Sequence, residues 1–234
     1  MSELFSIQLQ NRQQQGRDGV WLDLPTTTEQ VQAALRQIGI SSDNPQGLFI
    51  SGYFAEEEKR FAIPYNMVLA SNVDELNFLA SRLETLSTGE RAELNAALQA
   101  PQSELFSIGK ITDFPENVEY YVHLPEVRGP AQLGDYYLNR SGMVDMPEEW
   151  KGGIDTAQFG RYVAQQEQGV FTEYGYLVKS GDVWQKVHEG QPVPEEYRVL
   201  FFPAPEVLRD STNIPPPVQP ETEPQKVIPI ILNG

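Results

Sequence analysis

VDELNFLASRLETL (residues 73–86) runs directly into STGERAELNAALQ (residues 87–99), and together they predict a helical centre for the chain. In the first segment Val73, Leu76, Leu79, Ala80, Leu83 and Leu86 recur at helical spacing and form one apolar face. In the second, Ser87 and Glu90 have the spacing of a capping box, with Leu94, Ala97 and Leu98 turned inward behind them. A connection this short predicts two antiparallel helices. Their outward positions include the acids Asp74, Glu75, Glu84, Glu90 and Glu93.

The flanks read differently. LFSIQLQ (4–10) alternates apolar and polar, Val20–Leu24 reads as a partner strand, and GLFISGY (47–53) and Phe61–Ile63 read as further strands. Between them Thr26 and Glu29 have capping-box spacing, Val31, Ala34, Leu35 and Ile38 follow helically, and Gly39 stands where a helix ends. This first unit is a small α+β domain ending near residue 70. Downstream, Ile108–Ile111 and Val118–Val122 read as mixed loop and strand, 130–139 as a helix with Gly142 past its end, and Asp155 as the cap of a helix closed by Gly169. FTEYGYLV (171–178) alternates like a strand, GDVWQKVHEG is a candidate hairpin with it, and YRVLFF (197–202) a last strand. The overall expectation is an α+β chain, with a β-like extension over 181–204 and a proline-rich tail over 205–234.

Charge is distributed unevenly. The 234 residues hold 33 acids against 17 Lys and Arg, a net charge of −16. Residues 41–150 alone carry 18 acids and seven bases. Such a field repels nucleic acid and attracts basic partners. Plain solubility is the competing explanation for an acidic total, but solubility does not require one acidic stretch. The basic clusters are small, Arg12 with Arg17 and Lys59 with Arg60, so no nucleic-acid-binding patch is expected.

The usual catalytic constellations do not occur. There is no cysteine, and His123 and His188 stand outside any metal-binding spacing, so no metal or cofactor is expected. His123 reads as a strand-end residue. There is no GxSxG or GxGxxG, and Gly109-Lys110 has Glu104 where a phosphate loop begins with glycine. Asn139-Arg140-Ser141 is a glycosylation sequon, but the N-terminus lacks the layout of a secretory signal and no apolar run spans a membrane. A cytoplasmic protein with no membrane contact is the expectation. A carboxylate-pair hydrolase stays open, with Trp150 or Trp184 near its pocket, because so many acids always supply pairs.

Spaced carboxylates have a use that needs no catalysis. Acids three or four positions apart on a helix lie about 5–6 Å apart. That resembles the run of phosphates along a DNA strand. Glu90 with Glu93 meets the spacing, as does Asp145 with Glu148 or Glu149 if that segment is helical. Glu104, Asp113, Glu116, Glu119, Glu126 and Asp135 extend the acidic series. Such a surface can occupy the basic cleft of a DNA-binding enzyme, and its binding weakens as salt rises.

GDYYLNRSGMVDMPEEWKGGIDTAQFGRYVAQQEQGVFTEYGY (134–176) resembles the C-terminal region of ArdA antirestriction proteins. The resemblance rests on Tyr136-Tyr137, Met146-Pro147-Glu148, Ile154-Asp155, Phe159-Gly160-Arg161 and Thr172–Tyr176. Glu75-Leu76-Asn77 with Leu79 is similar to the family's central helix, and Val20-Trp21-Leu22 with Leu24 and Pro25 to its N-terminal strand. The likeness runs over roughly residues 4–178 and leaves about 55 residues beyond it. It implies an elongated, curved, three-domain homodimer carried by mobile elements, with domains at 1–70, 71–104 and 105–180. It further implies a DNA mimic, not an enzyme, that binds the methyltransferase core of type I restriction–modification enzymes. Another DNA-binding defence or regulatory complex is the alternative target. Family members dimerise through the C-terminal domain, which makes Tyr136, Tyr137, Phe159 and Tyr162 interface candidates. Arg128 and a moderate total charge are departures from the most acidic members.

Overall fold

The computed structural model describes residues 4–14, 16, 18–56, 61–101 and 103–205. The proline-rich tail lies outside the described residues from 206 onward. The class is α+β, with helices around two small antiparallel sheets.

The first sheet contains β1 (Phe5–Asn11), β2 (Val20–Leu24) and β3 (Leu48–Phe54) in the order β2-β1-β3. Alternation turns Phe5, Ile7 and Leu9 into the core, where they leave almost no surface exposed. Helix α1 (Thr28–Gln37) covers that face through Val31, Ala34 and Leu35. Its cap is Thr27 with Gln30, one residue later than Thr26 and Glu29. Gly39 takes the left-handed φ of +66° expected just past the helix end. Phe61 and Ile63, expected in a strand, are buried but lie in irregular chain.

A short helix α2 (Tyr65–Leu69) leads to α3 (Val73–Glu84) and α4 (Thr88–Gln99), both opened by capping boxes: Asn72 with Glu75, and Ser87 with Glu90. The apolar stripe of α3 is wholly buried, each large side chain there contributing about 1.5–3 kcal/mol. The expected antiparallel packing of α3 on α4 is not the main contact. The closest backbone neighbours of α3 are β2 and α5 (Ile108–Thr112), and α4 lies on β6 (Gly175–Lys179). The centre therefore bridges the two sheets instead of closing on itself.

The second sheet has the order β4-β6-β5, with β4 (Tyr121–Leu124) and β5 (Val170–Thr172). The single strand expected at 171–178 is a tight hairpin, because Thr172 pairs with Gly175 and Gly175 has a φ of +131°. Against this sheet stand α6 (Pro130–Asp135), continued as a wider π turn through Arg140, then α7 (Glu148–Lys151) and α8 (Thr156–Glu167). Asp155 caps α8 as expected, accepting from Ala157 N and Gln158 N. The left-handed residue at its end is Gln168, with a φ of 57°, one position before Gly169.

Two buried clusters result. The larger runs from Leu4 through both central helices to Tyr121, Leu177 and Val199, and the smaller joins Val127, Leu133, Ala164 and Tyr176. Residues 180–205 form no strand, so neither the hairpin nor the last strand expected over 181–204 is present. The segment turns at His188–Gln191 and forms a 3-10 turn at Glu195–Tyr197. It joins neither sheet: some of its backbone N–H groups bond within its own turns, and those of Gln185, Val187, His188, Glu189, Val199 and Leu200 are met by side chains of earlier elements.

Candidate acidic interaction surface

Of the fourteen acids nominated from sequence Asp113 is buried, and Asp74 and Glu93, half-buried like several others, turn a carboxylate oxygen inward. Asp113 was expected to face out. It is fully buried, and its carboxylate accepts backbone N–H groups from Val187, His188 and Glu189 at 3.3, 2.6 and 3.2 Å. The flanking Ile111 and Phe114, both fully buried, were the available sign that this acid points inward. Asp74, half-buried, accepts from Val199 N and Leu200 N at 2.7 and 2.8 Å through one oxygen. Both acids act as internal anchors.

Glu93 is the third correction. It stands one turn after Glu90 on α4, as the spacing required, but its carboxylate lies near Tyr121 of β4. Its Oε1 is buried without a hydrogen-bond partner. Burial first, and the neighbouring Glu90 carboxylate second, push its pKa up to about 8. Glu90 is held below the usual carboxylate range by the Ser87 hydroxyl and backbone of its own cap. At neutral pH the pair therefore carries close to one charge.

Of the surface acids, four are partnered by a cation: Glu104 with Lys179, Glu116 with Arg82, Asp135 with Arg140 and Glu148 with Lys151. The Lys179 hydrogen bond lowers the pKa of Glu104, which also accepts from Tyr120 Oη at 3.0 Å. The bidentate Arg140 guanidinium does the same for Asp135. Glu75 serves its cap by accepting from Asn72 N, and Glu84 is half-exposed on the last turn of α3. Glu119, Glu126, Asp145 and Glu149 are exposed and form no ion pair among the described residues. Asp145 precedes α7 in irregular chain, so its expected helical spacing to Glu148 and Glu149 does not form.

The nominated interface aromatics divide. Tyr137 donates to the carboxylate of Glu167, as does Tyr176 Oη at 2.9 Å, and Tyr136 packs edge-on against Tyr137. Burial, then the Glu167 bond, raises the pKa of both hydroxyls. Tyr136 and Phe159 are half-buried, while Tyr162 on α8 is 60% exposed. Met143 and Trp150 are exposed in the same part of the chain.

One cleft of about 810 Å³ lies between α2, α3, α5 and residues 188–193. Two acids line it, Glu75 and Glu189, but both are engaged: Glu75 in its cap and Glu189 with Lys186 at 3.2 Å. Its aromatic walls are Phe78 and Phe106, not the Trp150 or Trp184 expected of a hydrolase pocket. Among the described residues no group of His, Asp or Glu is arranged to hold a metal ion, and no helix is long and apolar enough to cross a membrane.

Two glycines in the ArdA-like run show what that motif builds. Gly134 on α6 and Gly160 on α8 sit where the two helices cross, and a Cβ on either would collide with the backbone carbonyl of Thr156 or Pro130. A search of curated proteins found no match. A family model described as "Antirestriction protein (ArdA)" matches residues 15–178, and it takes in this helix crossing, β2, β3 and the second sheet through Val178, while β1 lies before it. The match covers well over half of the sequence, and the chain belongs to the ArdA family of antirestriction proteins.

Proposed function

We propose that this antirestriction protein acts as a DNA mimic, occupying the basic DNA-binding cleft of the methyltransferase core of a type I restriction–modification enzyme. The observation that carries the reading is the row of surface carboxylates between Glu75 and Glu149, including four with no cation beside them. Acids at this density present a basic cleft with the charge pattern it is built to accept, while offering no base to methylate and no phosphodiester to cut. Such contacts act chiefly on association rate and selectivity.

The test is capture of the unmodified chain by a purified type I methyltransferase core at rising salt, with duplex DNA as competitor. Expected are binding that weakens steeply with salt and displacement by DNA. Binding that is insensitive to both, or absent from every type I system tried, rejects the reading. Capture by a different DNA-binding defence complex under the same conditions would keep the mimicry and change the target.

A further inference from the structure

Residues 180–203 lie beyond the family match and are held by side chains and backbone of earlier elements. Starting at the end of β6, Ser180 N donates to Tyr120 O at 3.0 Å. Asn117 then clasps Gln185 on both sides, accepting its N–H at 2.7 Å and donating to its carbonyl at 3.0 Å. Asp113 takes the N–H groups of Val187, His188 and Glu189. On α3, Asn77 Nδ2 donates to Tyr197 O at 3.0 Å, and Asp74 takes the amides of Val199 and Leu200. The run ends on the first unit, where Ser42 N donates to Pro203 O at 2.9 Å. Rings fill the intervals: Trp184 edge-on to Tyr120, and His188 and Tyr197 against Phe78.

These attachments fall on three places far apart along the chain: the loop after α1, helix α3, and the segment after α5, which packs on α3. We infer that residues 180–203 form a brace that fixes the first sheet and the second sheet at one separation. Asp113 and Asp74 are then positioning residues for the acidic surface, not members of it. The inference deepens the proposed mimicry and rests on it in one respect, that the acids must act as a fixed set. Charge complementarity decays over about 8 Å at physiological salt, so acids free to move over such distances lose register with a cleft. A set already held in place also avoids the ordering cost at binding.

The chain's lack of cysteine makes the test clean. Spin labels at Arg36→Cys and Gln166→Cys, both exposed, report the separation of the two units in the full chain. This separation is read in the parent and in Asp113→Asn and Trp184→Ala backgrounds, beside affinity for the methyltransferase core. Expected is a broadened distance distribution with helical content retained, and affinity lower by about tenfold with an unchanged salt dependence, since no surface charge is lost. A contact carboxylate would instead lower the salt slope by about one. Trp184→Ala carries the test alone if Asp113→Asn does not fold. A distribution as narrow as the parent's in the folded variants overturns the brace whatever the target is. A broadened distribution with unchanged affinity overturns the positioning role. Broadening beside a parent that binds no core rejects the mimicry and leaves the brace standing.

Discussion

At neutral pH the carboxyl of Glu93 holds its proton, while Glu90, one turn earlier, has lost its own. In the unfolded chain Glu93 ionises near the ordinary 4.5, and in the folded chain only near 8. Between those values the folded state binds more protons, so stability falls as pH rises across that window. Glu93→Gln removes the loss. Residual exposure screens the group, so the expected gain is modest, about 2–4 °C in Tm at pH 8, or roughly 1 kcal/mol for a chain of this size. Thermal melts at pH 4 and pH 8 check this, and an equal gain at both values would rule out ionisation as the cause. Spacing alone placed Glu93 beside Glu90 correctly but could not give its direction, which depends on the sheet that α4 meets. Asn77 is a parallel case. A polar residue inside a helix reads as outward, yet Asn77 is buried, accepting from Thr26 N at 2.7 Å and donating to Tyr197 O. Its partners stand far away along the chain, and no local pattern announces them.

Helices and strands with a clean period were legible: β1, β2, β3, α1, α3, α4 and α8 all stand within a few residues of where alternation, stripes and caps placed them. What failed were elements whose shape is set by tertiary partners. The 180–205 segment, expected to supply a hairpin and a last strand, joins neither sheet, and α5 is too short for a period to declare itself. The α6–α8 crossing was half legible, since its residues carried the family resemblance without revealing why. Here magnitudes decide. Replacing a helical Gly by Ala ordinarily gains about 1 kcal/mol. At Gly160 the added methyl meets the Pro130 carbonyl, and overpacking of this kind costs about 1–3 kcal/mol or more. Gly160→Ala is therefore expected to lower stability by denaturant unfolding, whereas Gly89→Ala, with open space around it, is expected not to. A neutral Gly160→Ala would show that the helices can part without cost.

For the molecule as a whole, the acidic excess was visible from composition, but which acids belong to the surface was not. The structure withdraws Asp113, Asp74 and Glu93 and leaves Glu119, Glu126, Asp145 and Glu149 unpaired among the described residues. Asp145→Asn with Glu149→Gln is accordingly expected to leave the fold intact and lower the salt slope of binding to a methyltransferase core by about two, one per charge. A slope unchanged by the pair would move the contact surface elsewhere. Self-association through the C-terminal unit, which family membership leads us to propose, would draw on the exposed face of α8. Tyr162→Arg is expected to shift sedimentation toward the monomer without altering the melting curve, and an unchanged mass would place the interface on another face. The brace also bears on biosynthesis. Pro203, the partner of Ser42, is added about 160 residues after it. At about 5–20 residues per second, the interval is on the order of ten to thirty seconds. Within it Asp74 and Asp113 are made long before the amides that bind their carboxylates, so the nascent chain passes through a state more acidic on its surface and less defined in shape than the finished protein.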